Sequence, residues 1–178
     1  MKILAISGSA RSASTNTALL KGMQGLAPDG VELVVFDQVG SLPVFSPDNE
    51  GESTPAVVQA LLAQVALADG VIISSPEYVR AIPGGMKNLI DWMVSRDEII
   101  GKSIALVHAS HRGDDMLASL RLVLSTISTR FLEQHFLRLA LVGKSPEEVT
   151  ALVMQQSEVR AQVIMFLQEF ADEIEQGR

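Results

Sequence analysis

A chain of 178 residues, 47% of them hydrophobic, is long enough to bury most of the apolar surface of one domain. It contains no cysteine, which excludes disulfides, thiolate metal sites and cysteine nucleophiles and fits a reducing cytoplasm. A formal charge of −7 with no basic block argues against a nucleic-acid surface, which needs clustered Lys and Arg to displace counterions.

The amino terminus enters a strand directly, without the basic region, apolar run and cleavage site of a signal peptide. No apolar segment reaches the ~18 uninterrupted residues a membrane span needs. The expectation is a soluble, cytoplasmic protein with neither membrane nor nucleic-acid partners, residues 1–178 forming a single domain.

The run Lys2 to Ser7 has the length and apolar density of a buried parallel strand. Gly8 permits a turn out of the sheet, and Ser9 to Asn16 supplies hydroxyl, amide and guanidinium donors. A helix from Thr17 to Leu26 follows, with Ala18, Leu19, Met23 and Leu26 on one side and Pro28-Asp29-Gly30 closing it. Its unpaired N–H groups and positive dipole end point back into the loop, which is where an α/β protein holds an anion. Neither common glycine fingerprint of nucleotide loops is present. The loop therefore binds through side chains, with Arg11 offering a forked contact to phosphate. The plainer reading is an N-cap with solvated neighbours.

Val31 to Phe36 reads as strand two. Asp37 to Pro55 is a long segment without sustained period, a length that inside a compact domain marks function or a partner. A helix begins at Thr54-Pro55 with Pro at its first position and runs to about Ala68. Val71 to Ser75 is strand three, and Met86 to Met93 a third helix. Strand four spans Lys102 to Ala109, followed by a helix from about Met116 to Thr129. Phe136 to Leu141 is strand five, and Ser145-Pro146-Glu147-Glu148 starts a closing helix that runs to about Glu175. Five strands alternating with five helices predict a parallel sheet covered on both faces. The ligand crevice then lies beyond the carboxyl ends of the strands, where strand order reverses. The loops after strands one, three and four meet there.

Gly8-Ser9-x-Arg11-x-x-Ser14-x-Asn16, Ser75-Pro76-Glu77-Tyr78 and Ile82-Pro83-Gly84-x-Met86-Lys87-Asn88-x-Ile90-Asp91-Trp92 together resemble the NADPH-dependent FMN reductase family, whose superfamily includes chromate, quinone and azo-compound reductases. The resemblance implies an α/β flavodoxin-like three-layer sandwich, sheet order 2-1-3-4-5, binding FMN non-covalently. It implies that Ser9, Arg11, Ser14, Thr15 and Asn16 hold the phosphate. Pro76, Glu77, Tyr78 and Val79 then lie along the ribityl chain and ring, and Ser110, His111 and Gly113 lie on the pyrimidine side. Prolines at both ends stiffen the third loop, Tyr78 offers a flat face beside the cofactor, and Gly84 and Gly85 let a second nucleotide come close.

Flavin carries the redox work, so no catalytic acid, base or nucleophile is expected of the chain, and no metal. By the same resemblance the reaction is a ping-pong hydride transfer. NADPH, or NADH, donates to FMN, and a quinone, flavin, azo or metal-oxyanion acceptor then takes the electrons. Arg80 or Arg112 would meet the extra phosphate of NADPH, or else carry only solvated charge.

This sequence departs from the family at three places. Val79 stands where many members have Asn. Gly85-Met86 replaces an aliphatic pair. Ser110-His111-Arg112-Gly113-Asp114-Asp115 is charged where the family is glycine-rich, so that His111 or Arg112 would stabilise reduced flavin at N1 and O2. His108 and His135 read as core histidines, and Glu77 as structural rather than a general base. His111 with Asp114 and Asp115 is a poor metal set, because neighbouring loop residues rarely converge on one ion. No Gly-x-Ser-x-Gly elbow marks a hydrolase. Trp92 and Met93 face either the core or a second subunit, and a homodimer or homotetramer is expected. The alternatives are an FMN-binding electron carrier or redox sensor without rapid NAD(P)H turnover, and a flavin-free interaction module.

Overall fold

Short apolar runs separated by turn-forming residues build one parallel sheet in the computed structural model, which describes residues 1–94 and 96–177. Five strands, β1 (Lys2–Ser7), β2 (Glu32–Phe36), β3 (Gly70–Ser74), β4 (Ser103–His108) and β5 (Phe131–Arg138), lie in the order β2-β1-β3-β4-β5 with every neighbour parallel. This is the predicted flavodoxin-like order. β3 and β4 are buried along their whole length, as a strand covered on both faces must be.

Six helices cover the sheet: α1 (Thr15–Gln24), α2 (Ala56–Leu67), α3 (Gly84–Val94), α4 (Asp114–Ile127), α5 (Pro146–Gln155) and α6 (Ser157–Gln176). Apolar side chains of α2, α3 and α4 pack on one face around Leu4, Ile6, Ile73 and Leu106. Those of α1, α5 and α6 pack on the other around Ile3, Ala5, Ile72 and Val107. The alternation of side chains along each strand divides the core this way.

The structure corrects several boundaries. α1 starts two residues earlier than expected, because Ser14 is its N-cap and accepts from Thr17 N at 3.2 Å. Pro55 is the N-cap of α2 rather than its first helical residue. β5 starts at Phe131 instead of Phe136. Its register against β4 jumps from Ile104↔Phe131 to Leu106↔Phe136, and exposed Glu133 and Gln134 hide the apolar pattern in between. The closing helix is two helices. Gln156 adopts an extended conformation, which lets α5 lie along α1 while α6 turns to cover β4 and β5.

The segment 37–55 is held firmly. It contains three short 3₁₀ turns and is tied to α3: Phe45 N donates to Asn88 Oδ1 at 2.8 Å, while Asn88 Nδ2 and Trp92 Nε1 both donate to Pro43 O. Trp92 is 0% exposed and meets the Phe45 ring edge-on at 5.0 Å. Trp92 and Met93 are therefore buried by their own chain and need no second subunit to cover them.

Candidate functional site

Parallel strands place all their carboxyl ends at one edge, and a cleft of about 620 Å³ opens there. Arg11, Ala13, Thr15 and Asn16 form its β1–α1 side, and Pro76 and Glu77 its β3–α3 side. His108 to Ser110, Arg112 and Gly113 come from the β4–α4 loop, and Val142 to Pro146 from the β5–α5 loop.

The first loop is organised by its own hydroxyls. Ser9 Oγ accepts from Arg11 N at 3.3 Å, and Ser7 Oγ pairs with Thr17 Oγ1 at 2.8 Å. Asn16 Oδ1 accepts from Ser74 Oγ at 2.9 Å, which joins α1 to β3 and leaves the Asn16 amide nitrogen as its donor. Gly8 does not adopt the left-handed backbone a sharp turn would use. Its requirement is close approach, since a Cβ there would lie 2.8 Å from Ser75 Oγ.

Glu77 is structural in this geometry. Gly113, the N-cap of α4, has no side chain to offer, and Glu77 Oε2 accepts from Met116 N at 3.3 Å in its place. The next residues form a two-residue turn closed by Tyr78 N→Ala81 O and Ala81 N→Tyr78 O. Val79 (φ 52°) and Arg80 (φ 59°) both have positive φ, as such turns require and as Val resists. Arg80 pairs with Asp115 in α4, so two contacts pin this strained turn to one helix. That pairing also holds the Arg80 guanidinium above its ordinary value. Asp114 is likewise paired with Arg138, which holds its carboxyl below the usual range.

His108 anchors the fourth loop. It is 2% exposed, and its Nε2 donates to Arg112 O at 2.6 Å. Nδ1 is buried, with the Ser75 backbone beside the ring. Burial pushes the His108 pKa down. Gly113 (φ +99°) lies over the ring, where a Cβ would come 2.8 Å from Nε2.

Of the residues expected at the site, Arg11, Thr15, Asn16, Pro76, Glu77, Ser110 and Gly113 line the cleft. Ser9 and Ser14 stand behind it as supports. Tyr78, half exposed, and Val79, 98% exposed, form the strained turn outside the cleft. His111 is exposed and lies outside it too. Sequence reading did not place His108 or the β5–α5 loop at the site. The order 2-1-3-4-5 was the available signal, since it sets the end of β5 beside that of β4.

The charge of the cleft fits a phosphate. Arg11, Arg112 and Lys144 face its single carboxylate, Glu77, and none of the three cations is ion-paired among the described residues. A phosphate monoester carries about −1.5 to −2 at pH 7, and the cleft offers it a net positive lining beside the first turn of α1.

Residues 1–140 match the NADPH-dependent FMN reductase family. The chain belongs to the NADPH-dependent FMN reductase family. Relatives include a quinone reductase of Escherichia coli (strain K12), 33% identical over 116 residues that make up 64% of this chain and 61% of the relative. An NAD(P)H-dependent FMN reductase of Pseudomonas aeruginosa is 35% identical over 112 residues, 62% of this chain and 60% of the relative. The match therefore spans about three fifths of the length of these curated relatives. The flavoenzyme NAD(P)H:(acceptor) oxidoreductase FerB from Paracoccus denitrificans superposes with a TM-score of 0.76 at 23% identity, covering 99% of this chain and 98% of that one. That likeness bears on the fold. The FMN reductase family pattern and the cleft thus coincide on the same two loops, 8–16 and 75–78.

Proposed function

We propose that this chain is an NAD(P)H-dependent FMN reductase of the quinone-reductase type, acting on small-molecule acceptors such as quinones and flavins. The observation that carries the reading is the cleft at the strand ends, which is lined by three cations without ion-pair partners among the described residues and by the first turn of α1. Family membership and relatives named quinone reductase and FMN reductase support it. FMN, when bound, supplies the hydride-accepting centre. The chain binds and orients it. Arg11, Thr15 and Asn16 take the phosphate, with Ser9 and Ser14 holding their backbone in place.

Pro76, Glu77, Ser110 and Gly113 line the ribityl and ring portion of the cleft. Tyr78, Val79 and His111 stand at its rim, where an acceptor arrives. Arg80 is committed to Asp115, so Arg112, which has no ion-pair partner among the described residues, is the better candidate for the 2′-phosphate of NADPH. Residues 1–178 act as one flavodoxin-like unit in this reading, in the cytoplasm, as a homodimer or homotetramer whose mass light scattering reads directly. Among the described residues no helix is long and apolar enough to cross a membrane.

Purified protein is expected to show a flavin absorption spectrum that NADPH bleaches anaerobically and that menadione or free FMN restores. Protein that is colourless and fails to take up micromolar FMN overturns the reading. Coloured protein that NADPH and NADH both leave oxidised is a carrier or sensor instead.

A further inference from the structure

We propose that Lys144, carried by the β5–α5 turn, is the second cationic wall of the phosphate cradle and grips the flavin phosphate from the side opposite Arg11. This rests on the FMN reading and deepens it. The family match ends at residue 140, so Lys144 is a property of this chain outside the matched region.

The placement comes from the turn. Gly143 (φ +84°) reverses the chain, and Lys144 N donates to Leu141 O at 3.2 Å. Lys144 then sits immediately before Ser145, the N-cap of α5, and lines the same cleft as Arg11 and Asn16. It is half-buried and has no ion-pair partner among the described residues. A cation at a helix N-terminus stands at the wrong end of the macrodipole. Unless an anion joins it, that position is unfavourable.

The arrangement of α1 and α5 strengthens the requirement. The two helices line one groove, and Gly22 abuts Val153 while Gly25, further along, abuts Met154. The two helices therefore run parallel, with both positive ends at the cleft. Like ends side by side repel, and an anion between them offsets the repulsion. Glu147 and Glu148, in the first turn of α5, offset part of the charge at that helix end, but neither lines the cleft where Lys144 and Arg11 stand. His108, 2% exposed, lines the same cleft between the β3–α3 and β5–α5 loops.

The test uses the full chain stripped of flavin, titrated separately with FMN and with riboflavin, which lacks the phosphate, by flavin fluorescence. Lys144→Ala is expected to weaken FMN by about ten-fold, the range of one charge-assisted hydrogen bond in a partly exposed site, and riboflavin by less than about two-fold. Lys144→Arg should restore most of the FMN affinity. Equal losses for both flavins, or unchanged FMN binding, overturn the proposal. A rise in KM for NADPH but not NADH, with FMN affinity unchanged, also overturns it and assigns the lysine to the nicotinamide nucleotide. If Arg11→Ala weakens FMN while Lys144→Ala does not, the FMN reading stands and this inference alone falls. A wild-type chain that holds FMN no tighter than riboflavin removes both. Matching thermal unfolding of the flavin-free variants keeps a folding defect from mimicking the result.

Discussion

Val79 combines two costs in one side chain, a β-branched residue in the left-handed region and an apolar surface that is 98% exposed. A non-glycine residue in such a conformation costs roughly 1–3 kcal/mol and persists where its surroundings over-determine it. Here Glu77 on Met116 N and Arg80 on Asp115 supply that constraint. Asn adopts positive φ far more readily than Val. Val79→Asn is therefore expected to stabilise the chain by about 1 kcal/mol, and at this size that raises Tm by roughly 2–4 °C. A lowered Tm in a calorimetric scan would mean that the turn is not strained as described. The departure at Val79 was visible in the sequence. Its backbone conformation was not, because no local pattern distinguishes a two-residue turn from an extended loop before the contacts across it form.

At the scale of elements, the α1–α5 pair positions the cleft, and its closeness depends on Gly22. A Cβ at that position would lie 2.9 Å from Val153 Cγ1, and Val153 is fully buried with a branched side chain that cannot swing aside. Replacing Gly by Ala inside a helix gains about 1 kcal/mol of propensity, but overpacking a close contact costs about 1–3 kcal/mol. Overpacking wins. Gly22→Ala should destabilise by about 1 kcal/mol in urea unfolding with the m-value unchanged, and unchanged or raised stability would contradict the packing. Other elements were legible to different degrees. β1, β3 and β4 read clearly because continuous apolar runs mark strands buried on both faces. β5 and the break at Gln156 did not. Exposed residues occupy the register jump in β5, and neither Gly nor Pro announces the end of α5.

For the whole molecule, a buried histidine and a half-buried one shape the acid limb of stability. Burial lowers the pKa of both His108 and His135. His135 stacks on Phe166 at 4.3 Å, and its Nε2 donates to Phe166 O at 3.0 Å. A histidine with a depressed folded pKa binds fewer protons folded than unfolded. Stability is then complete above the ordinary value near 6.5 and falls as pH drops below it toward the folded value. Urea midpoints should decline from about pH 7 to pH 5, and His108→Gln should flatten part of that decline while His135 retains the rest. A variant with the wild-type slope would show that His108 does not titrate on unfolding.

The sequence alone determined the class of fold and the family pattern carried by residues 8–16 and 75–78, because strand periodicity, a capped helix start and short motifs are local properties. Only the tertiary structure decided that Trp92 is covered by its own chain, that Glu77 caps a helix 39 residues away, and that Lys144 stands in the same cleft as Arg11. Those outcomes depend on which strands lie side by side. That is settled by burying both faces of the sheet at once, which no single stretch of residues encodes.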